Sequence, residues 1–213
     1  MKKVIVVGAG LAGVEATYFL INKGVKVDLY EQRPIKNTGA HHSANFAELV
    51  CSNSLKSNNL DNACGLLKGE MRLMNSLTMQ IADETRVPAG NALAVDRDLF
   101  ASKITKIIKN HPLVTFHNEE YVDFDSDALI IVATGPLSSE NIIHKLETIT
   151  GEKMFSFFDA CAPIVEKSSI DFTKAYYKSR YEQGDNSYIN CAMNKEEYEK
   201  FYDALINAEL AEL

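Results

Sequence analysis

Gly8-Ala9-Gly10-Leu11-Ala12-Gly13, set between an apolar run and a helical repeat, leaves this chain few folds to choose from. Val4-Ile5-Val6-Val7 is short, β-branched and apolar throughout, the pattern of a parallel strand buried on both faces. From Val14 to Lys23 the apolar residues keep helical spacing, and Gly24 stands where a helix C-cap is expected. Val25 to Tyr30 reads as a second strand, closed by Glu31 eighteen residues after Gly13. A lone G-x-G-x-x-G is a weak signal. Between strand and helix, with an acid at the end of the next strand, it specifies a βαβ unit that binds a dinucleotide. Gly8 permits the tight turn, Gly10 lets backbone approach a pyrophosphate, and Gly13 lets helix and strand pack closely. The helix N-terminus, at Leu11 and Ala12, offers amides to the phosphate charge, and Glu31 can accept from ribose hydroxyls.

Two features choose among dinucleotides. Gln32-Arg33-Pro34 follows the acid as in FAD proteins, where this loop covers the adenosine, so Arg33 joins the candidate contacts. Leu129 to Val132 is another apolar strand and runs into Ala133-Thr134-Gly135. A strand ending in Ala-Thr-Gly resembles the second nucleotide-contact motif of flavoproteins with two dinucleotide sites. Alone it is a common βα turn; its value lies in the pairing with the first motif.

The remaining chain reads coarsely. Asn62 to Ala82 is expected as one helix, capped by Asp61 or Asn62, with Leu66, Leu67, Met71, Met74 and Ile81 on its core face. Val87 to Val95 is extended or looped. Asp96 to Asn110 is an amphipathic helix with Leu99, Phe100, Ile104, Ile107 and Ile108 inward, and Leu113 to His117 a strand. His111, His117 and His144 read as surface or ordinary structural histidines. After about Lys153 aromatics and charges mix, as in Lys174 to Tyr181, which is either a basic-aromatic nucleic-acid surface or a solvated sheet face. Lys195 to Leu213 reads as a last helix. The expected class is α/β: a Rossmann-like, three-layer domain on a parallel sheet over residues 1–163, then the start of an inserted α+β substrate domain over 164–213.

With 213 residues, 46% hydrophobic and 24% charged, the chain can bury a core. Its net charge of -7 makes it no polycation, so an RNA partner needs a local basic patch, and no DNA partner is expected. The two lysines and apolar run at the N-terminus imitate a leader, but spaced glycines and Glu15 break the apolar centre a leader needs. No stretch approaches a membrane span. A cytoplasmic protein without a membrane partner is expected. Cys51, Cys64, Cys161 and Cys191 form no C-x-x-C pair, so zinc ligation and a disulfide framework are disfavoured.

One stretch fits none of this. AHHSANFAELVCSNSLK, Ala40 to Lys56, is too polar for a core helix and carries a cysteine. Together with Gly8 to Gly13, RVPAGNALAVDR (Arg86 to Arg97), ATGPL (Ala133 to Leu137), APIVEKSSID and KSRYEQG, it resembles the folate- and FAD-dependent tRNA (uracil-5-)-methyltransferases, the TrmFO family once called Gid. The likeness runs along essentially the whole chain. The cysteine segment and the VPAG…LAVDR segment are specific to that family, whereas the glycine motif is shared by many flavoproteins. The resemblance implies FAD as cofactor, with 5,10-methylenetetrahydrofolate and NAD(P)H as co-substrates. It implies transfer of a methylene to carbon 5 of a uridine in tRNA, or in ribosomal RNA by the same chemistry, and its reduction to a methyl. The family uses two cysteines, and Cys51 matches the first, on a loop laid near the flavin. Asn91 stands where glycine is expected and Cys161 where alanine is expected. Family members are much longer, which places the second functional cysteine and a segment closing the FAD cavity beyond Leu213. The isolated chain is therefore expected to bind FAD weakly and not to methylate RNA alone. A non-catalytic nucleotide-binding fragment and another flavin oxidoreductase stand as alternatives.

Overall fold

The computed structural model describes residues 3–124, 127–152, 165–179 and 186–209. Cys161 and the Arg180 to Gly184 part of KSRYEQG lie outside the described residues. By internal packing the chain divides into two compact units, Met1–Val87 with Asn91–Ala162 and Pro88–Gly90 with Pro163–Leu213.

The first unit is built on four parallel strands: β1 (Val4–Val7), β2 (Val27–Tyr30), β6 (Val114–His117) and β7 (Leu129–Val132), in the order β6-β2-β1-β7. The registers Val4 to Val27 and Val4 to Leu129 put the C-terminal ends of β1, β2 and β7 level. Alternation along each strand sends side chains to two faces. Val6, Val27, Leu29 and Ile131 face a core shared with α1 (Leu11–Asn22), α3 (Leu77–Glu84) and α4 (Arg97–Lys109). Ile5, Val7, Tyr30 and Ile130 face a smaller cluster closed by Tyr121 and by Ile142 and Leu146 of α5 (Glu140–Thr150). A parallel sheet covered on both faces, with a glycine turn leaving its first strand, is a Rossmann-like α/β fold.

Helix α1 starts earlier than the apolar spacing implies, because Gly10 is its N-cap. Gly24, at φ +74, follows the C-cap Lys23 and returns its N–H to Ile21 O. In α4, capped by Asp96, Phe100, Ala101, Ile104 and Ile108 are buried, but Leu99 and Ile107 are exposed. They stand one residue off the buried stripe, at its solvent edge.

The helix expected over Asn62 to Ala82 is two helices. α2 (Ala63–Leu73) ends at Met74, Asn75 turns the chain with φ +57, and Ser76 caps α3 by accepting from Met79 N. The expected apolar face breaks with it. Leu66, Leu67 and Met74 are exposed, while the buried member of α2 besides Gly65 is Lys68, whose ammonium donates to Ser57 O and Cys64 O. A second, antiparallel sheet joins β3 (Ser54–Ser57), β5 (Ala92–Val95) and β4 (Arg86–Val87) in the order β3-β5-β4.

The second unit has a short antiparallel pair, β8 (Ala175–Tyr177) with β9 (Ile189–Cys191), and α6 (Lys195–Ile206), opened by a capping box between Asn194 and Glu197. Tyr188 donates its hydroxyl to Ala89 O. Tyr176 and Tyr177 are exposed, and Tyr177 stacks on Phe172 beneath Lys167. No helix among the described residues is long and apolar enough to cross a membrane.

Candidate functional site

The level strand ends of the first unit leave a cleft at the switch point where the sheet order reverses, the usual ligand position in open α/β sheets. Gly8, Gly10, Glu31, Arg33, Ala133 and Thr134 all line it. The cleft is shallow and open to solvent, with a cavity volume of about 70 Å³.

Each glycine of the first turn has its own reason. Gly8 has φ +99, and a Cβ there would stand 2.6 Å from Ala133 O. The two motifs, remote in sequence, thus touch through backbone, and Ala133 N donates to Val7 O at 2.8 Å. A Cβ on Gly13 would collide with Gly8 O, so close helix–strand contact requires this glycine. A Cβ on Gly10 would meet nothing within 4 Å. That space lies at the mouth of α1, whose first turn has no side-chain cap and no acidic residue. The other described α-helices, α2 to α6, are capped by Asn62, Ser76, Asp96, Ser139 and Asn194. The Leu11 and Ala12 end of α1 therefore keeps its amide dipole available to an anion. Gly135, at φ +67, ends the second turn, where Ser138 Oγ donates to Gly135 O and bonds Thr134 Oγ1.

Glu31 is buried, 7% exposed, and its carboxylate is saturated. Oε2 accepts from Ala9 N and Arg33 Nη2; Oε1 accepts from Arg33 N and Arg33 Nε, at 3.0 to 3.2 Å. Burial pushes the Glu31 carboxyl up, but the Arg33 guanidinium and the backbone amides outweigh it and hold the group below its ordinary value. Asn118 Nδ2 donates to Glu31 O and Arg33 O and fixes the bend between them. Arg33, 3% exposed, reaches past Glu31 to Glu48, with Nη1 to Oε2 at 3.2 Å.

Glu48 belongs to the cysteine segment and organises it. It accepts from His42 N, Ser43 N and Ser43 Oγ. Burial raises its carboxyl, and the donors of His42 and Ser43 more than compensate, holding it low. Ala47, at φ +50, donates its N–H to Ala9 O within the glycine turn, and Phe46 N donates to Thr105 Oγ1. The loop is thereby seated on the glycine turn. Burial pushes the His41 imidazole down, with the Arg33 charge adding to it; His41 lines the cleft and bonds Thr38 Oγ1.

Cys51 is exposed and is not among the lining residues. Just beyond it, Asn53 exchanges bonds with Val95 through Nδ2 and backbone, and β3 pairs with β5. The cysteine segment and the LAVDR segment, read separately in sequence, are thus neighbours in one sheet.

The structure brings Gly8, Gly10, Glu31, Arg33, Ala133 and Thr134 to the cleft wall, with Leu11, Ala12, Gly13 and Gly135 in the turns behind it. Arg33 and Glu31 form a buried ion pair, so Glu31 is a structural residue as well as a candidate ribose acceptor. Sequence reasoning passed over Glu120 and Tyr121, which also line the cleft. Their signal was position alone, at the carboxyl end of β6.

The family profile described as glucose inhibited division protein A matches residues 3–213. The chain is 55% identical over 212 residues to a protein of Enterococcus faecalis, covering 100% of this chain and 48% of that protein. A Bacillus cereus protein is 57% identical over 208 residues, covering 98% and 48%, and a Fusobacterium nucleatum protein 55% identical, covering 100% and 49%. All three bear the name methylenetetrahydrofolate–tRNA-(uracil-5-)-methyltransferase TrmFO. This chain spans about half the length of these curated relatives. With a profile match over essentially its whole length, the chain belongs to the glucose inhibited division protein A family.

Proposed function

We propose that this chain forms the FAD-binding cleft and carries the first reactive cysteine of a methylenetetrahydrofolate-dependent RNA uracil-5-methyltransferase acting on tRNA in the cytoplasm. The observation that carries the reading is the meeting of the glycine turn, Glu31 and Ala133-Thr134 in one cleft, in a chain whose relatives bear that name. The cleft fits the cofactor: Gly10 leaves room for backbone to meet a pyrophosphate, and the uncapped end of α1 supplies amides and dipole. Gly8, Gly10, Leu11 and Ala12 hold the pyrophosphate, Glu31 takes the ribose, and Ala133, Thr134 and Gly135 wall the opposite side. FAD, when bound, supplies the hydride that turns a transferred methylene into a methyl, with methylenetetrahydrofolate and NAD(P)H as co-substrates.

Carbon 5 of uracil becomes nucleophilic when a nucleophile adds to carbon 6. Cys51 suits that role as a thiolate, on an exposed loop that a base in RNA can reach. Its bond to carbon 6 breaks again when the proton at carbon 5 leaves, so the thiol is regenerated. Residues 1–163 form the nucleotide-binding domain in this reading, and 164–213 begin a substrate domain.

Titration of the chain with FAD, read by flavin fluorescence, tests the cleft: binding is expected, with loss in Gly10→Val. Formation of 5-methyluridine in unmodified tRNA and ribosomal RNA transcripts, by this chain together with the second half of a relative, tests the reaction. Product in tRNA that disappears in Cys51→Ala supports it. Product in ribosomal RNA alone reassigns the substrate, and methylation that survives Cys51→Ala removes the cysteine from the mechanism.

A further inference from the structure

We propose that Arg33 is a positioning residue that couples occupancy of the ribose site at Glu31 to the setting of the Cys51 loop, by moving its guanidinium from Glu31 towards Glu48. This coupling rests on the dinucleotide reading of the cleft and adds to it a link between cofactor site and cysteine.

A carboxylate has about four lone-pair sites. In Glu31 four donors fill them: Ala9 N, Arg33 N, Arg33 Nε and Arg33 Nη2. A ribose diol brings its own O–H donors to the same oxygens, so existing donors must leave. The two backbone amides are fixed, Ala9 by the glycine turn and Arg33 N by the bend that Asn118 pins. The guanidinium is the part free to move. It is 3% exposed, so it cannot retreat into water, and a buried charge without a partner is costly. The remaining carboxylate within its present reach is Glu48, already bonded to Nη1.

Glu48 in turn holds His42 N, Ser43 N and Ser43 Oγ. More guanidinium on Glu48 means a different arrangement of that turn. Phe46 and Ala47 are buried and pinned to Thr105 and Ala9, so adjustment falls on the flanks, at His42-Ser43 and from Glu48 towards Cys51. Filling the ribose site therefore changes how firmly the segment bearing Cys51 is held. Inorganic pyrophosphate, which lacks the diol, fills the turn without moving the arginine.

The test measures iodoacetamide labelling of Cys51 in the 213-residue chain, resolved by peptide mass spectrometry, with exposed Cys191 as internal control. Saturating ADP is expected to change the Cys51 rate about fivefold or more, the lower bound of ordinary coupling between sites. Pyrophosphate should leave it unchanged, and Cys191 should not respond. In Glu48→Gln the ADP effect should vanish while calorimetry still detects ADP binding. Arg33→Lys, which keeps the charge but cannot bridge two carboxylates, should behave alike and serves if Glu48→Gln fails to fold by circular dichroism. ADP binding with no change at Cys51, a change that persists in both variants, or an equal change with pyrophosphate overturns the coupling alone. Absence of ADP binding in the parent chain overturns the dinucleotide reading and the coupling with it.

Discussion

Replacing Glu31 by alanine is expected to unsettle the fold before any ligand is added. The substitution removes the acceptor of four hydrogen bonds, two of them from the side chain of an arginine that is 3% exposed. Breaking a buried ion pair by deleting one partner costs about 3 to 5 kcal/mol. Arg33 keeps one bond to Glu48, which places the expected loss near the lower bound, about 3 kcal/mol. For a chain of this size each kcal/mol moves the melting temperature by about 2 to 4 °C, so a fall of about 6 to 12 °C is expected. Urea unfolding should show a lower midpoint with an unchanged slope, the sign of lost stability without a changed unfolded state. The companion Glu31→Ala/Arg33→Leu should recover part of the loss, because the orphaned charge is gone. A melting temperature within about 2 °C of the parent for Glu31→Ala would refute the reasoning, since less than about 1 kcal/mol would then rest on the pair.

The second and third glycines of the turn should separate fold from binding. Gly13→Ala should cost about 2 kcal/mol or more, because its Cβ collides with Gly8 O, whereas Gly10→Val should stay within about 1 kcal/mol of the parent yet abolish ADP binding; melting curves and calorimetry read the two effects. Glu31 and Glu48 are both held below the ordinary glutamate value of 4.5, so their contribution is complete above that pH and is lost as pH falls through their folded values. Stability by urea titration should be level between about pH 7 and 5 and decline below 4.5, less steeply in Glu31→Gln/Glu48→Gln. Cys51→Ala should leave the melting temperature within about 2 °C, since the residue is exposed, and a larger fall would make Cys51 structural.

The parts of this fold legible in the sequence are those where local chemistry and tertiary structure ask for the same residues. A fully apolar run followed by G-x-G-x-x-G has one good solution, and β1, the turn and α1 adopt it. Asp96 announces α4 because a cap and an apolar stripe coincide. The apolar periodicity of Asn62 to Ala82 misled, because it continues across a break. Asn75-Ser76 held the signal, a residue that tolerates the left-handed region followed by an N-cap serine, but the apolar spacing running across the pair outweighed it. Strand β3, Ser54-Leu55-Lys56-Ser57, carries no strand signal of its own and exists because β5 offers it an edge. The role of Arg33 was hidden for the same reason. Its partner Glu48 lies fifteen residues on, and only the seating of Ala47 on the glycine turn brings the two together.

The contact of Gly8 with Ala133 has a kinetic consequence. More than half of the chain's 213 residues lie between these two turns, so the cleft cannot close until a loop of that length has been gathered. Loop closure costs entropy that is repaid only afterwards, and parallel pairings of high sequence separation form slowly. The β1–β2 unit and its helix are local and can form early; the pairing of β1 with β7 is remote and should come late. A refolding chain would then bury its apolar core before it owns the cleft, and binding of any ligand there would appear as the final phase, after the recovery of helical signal.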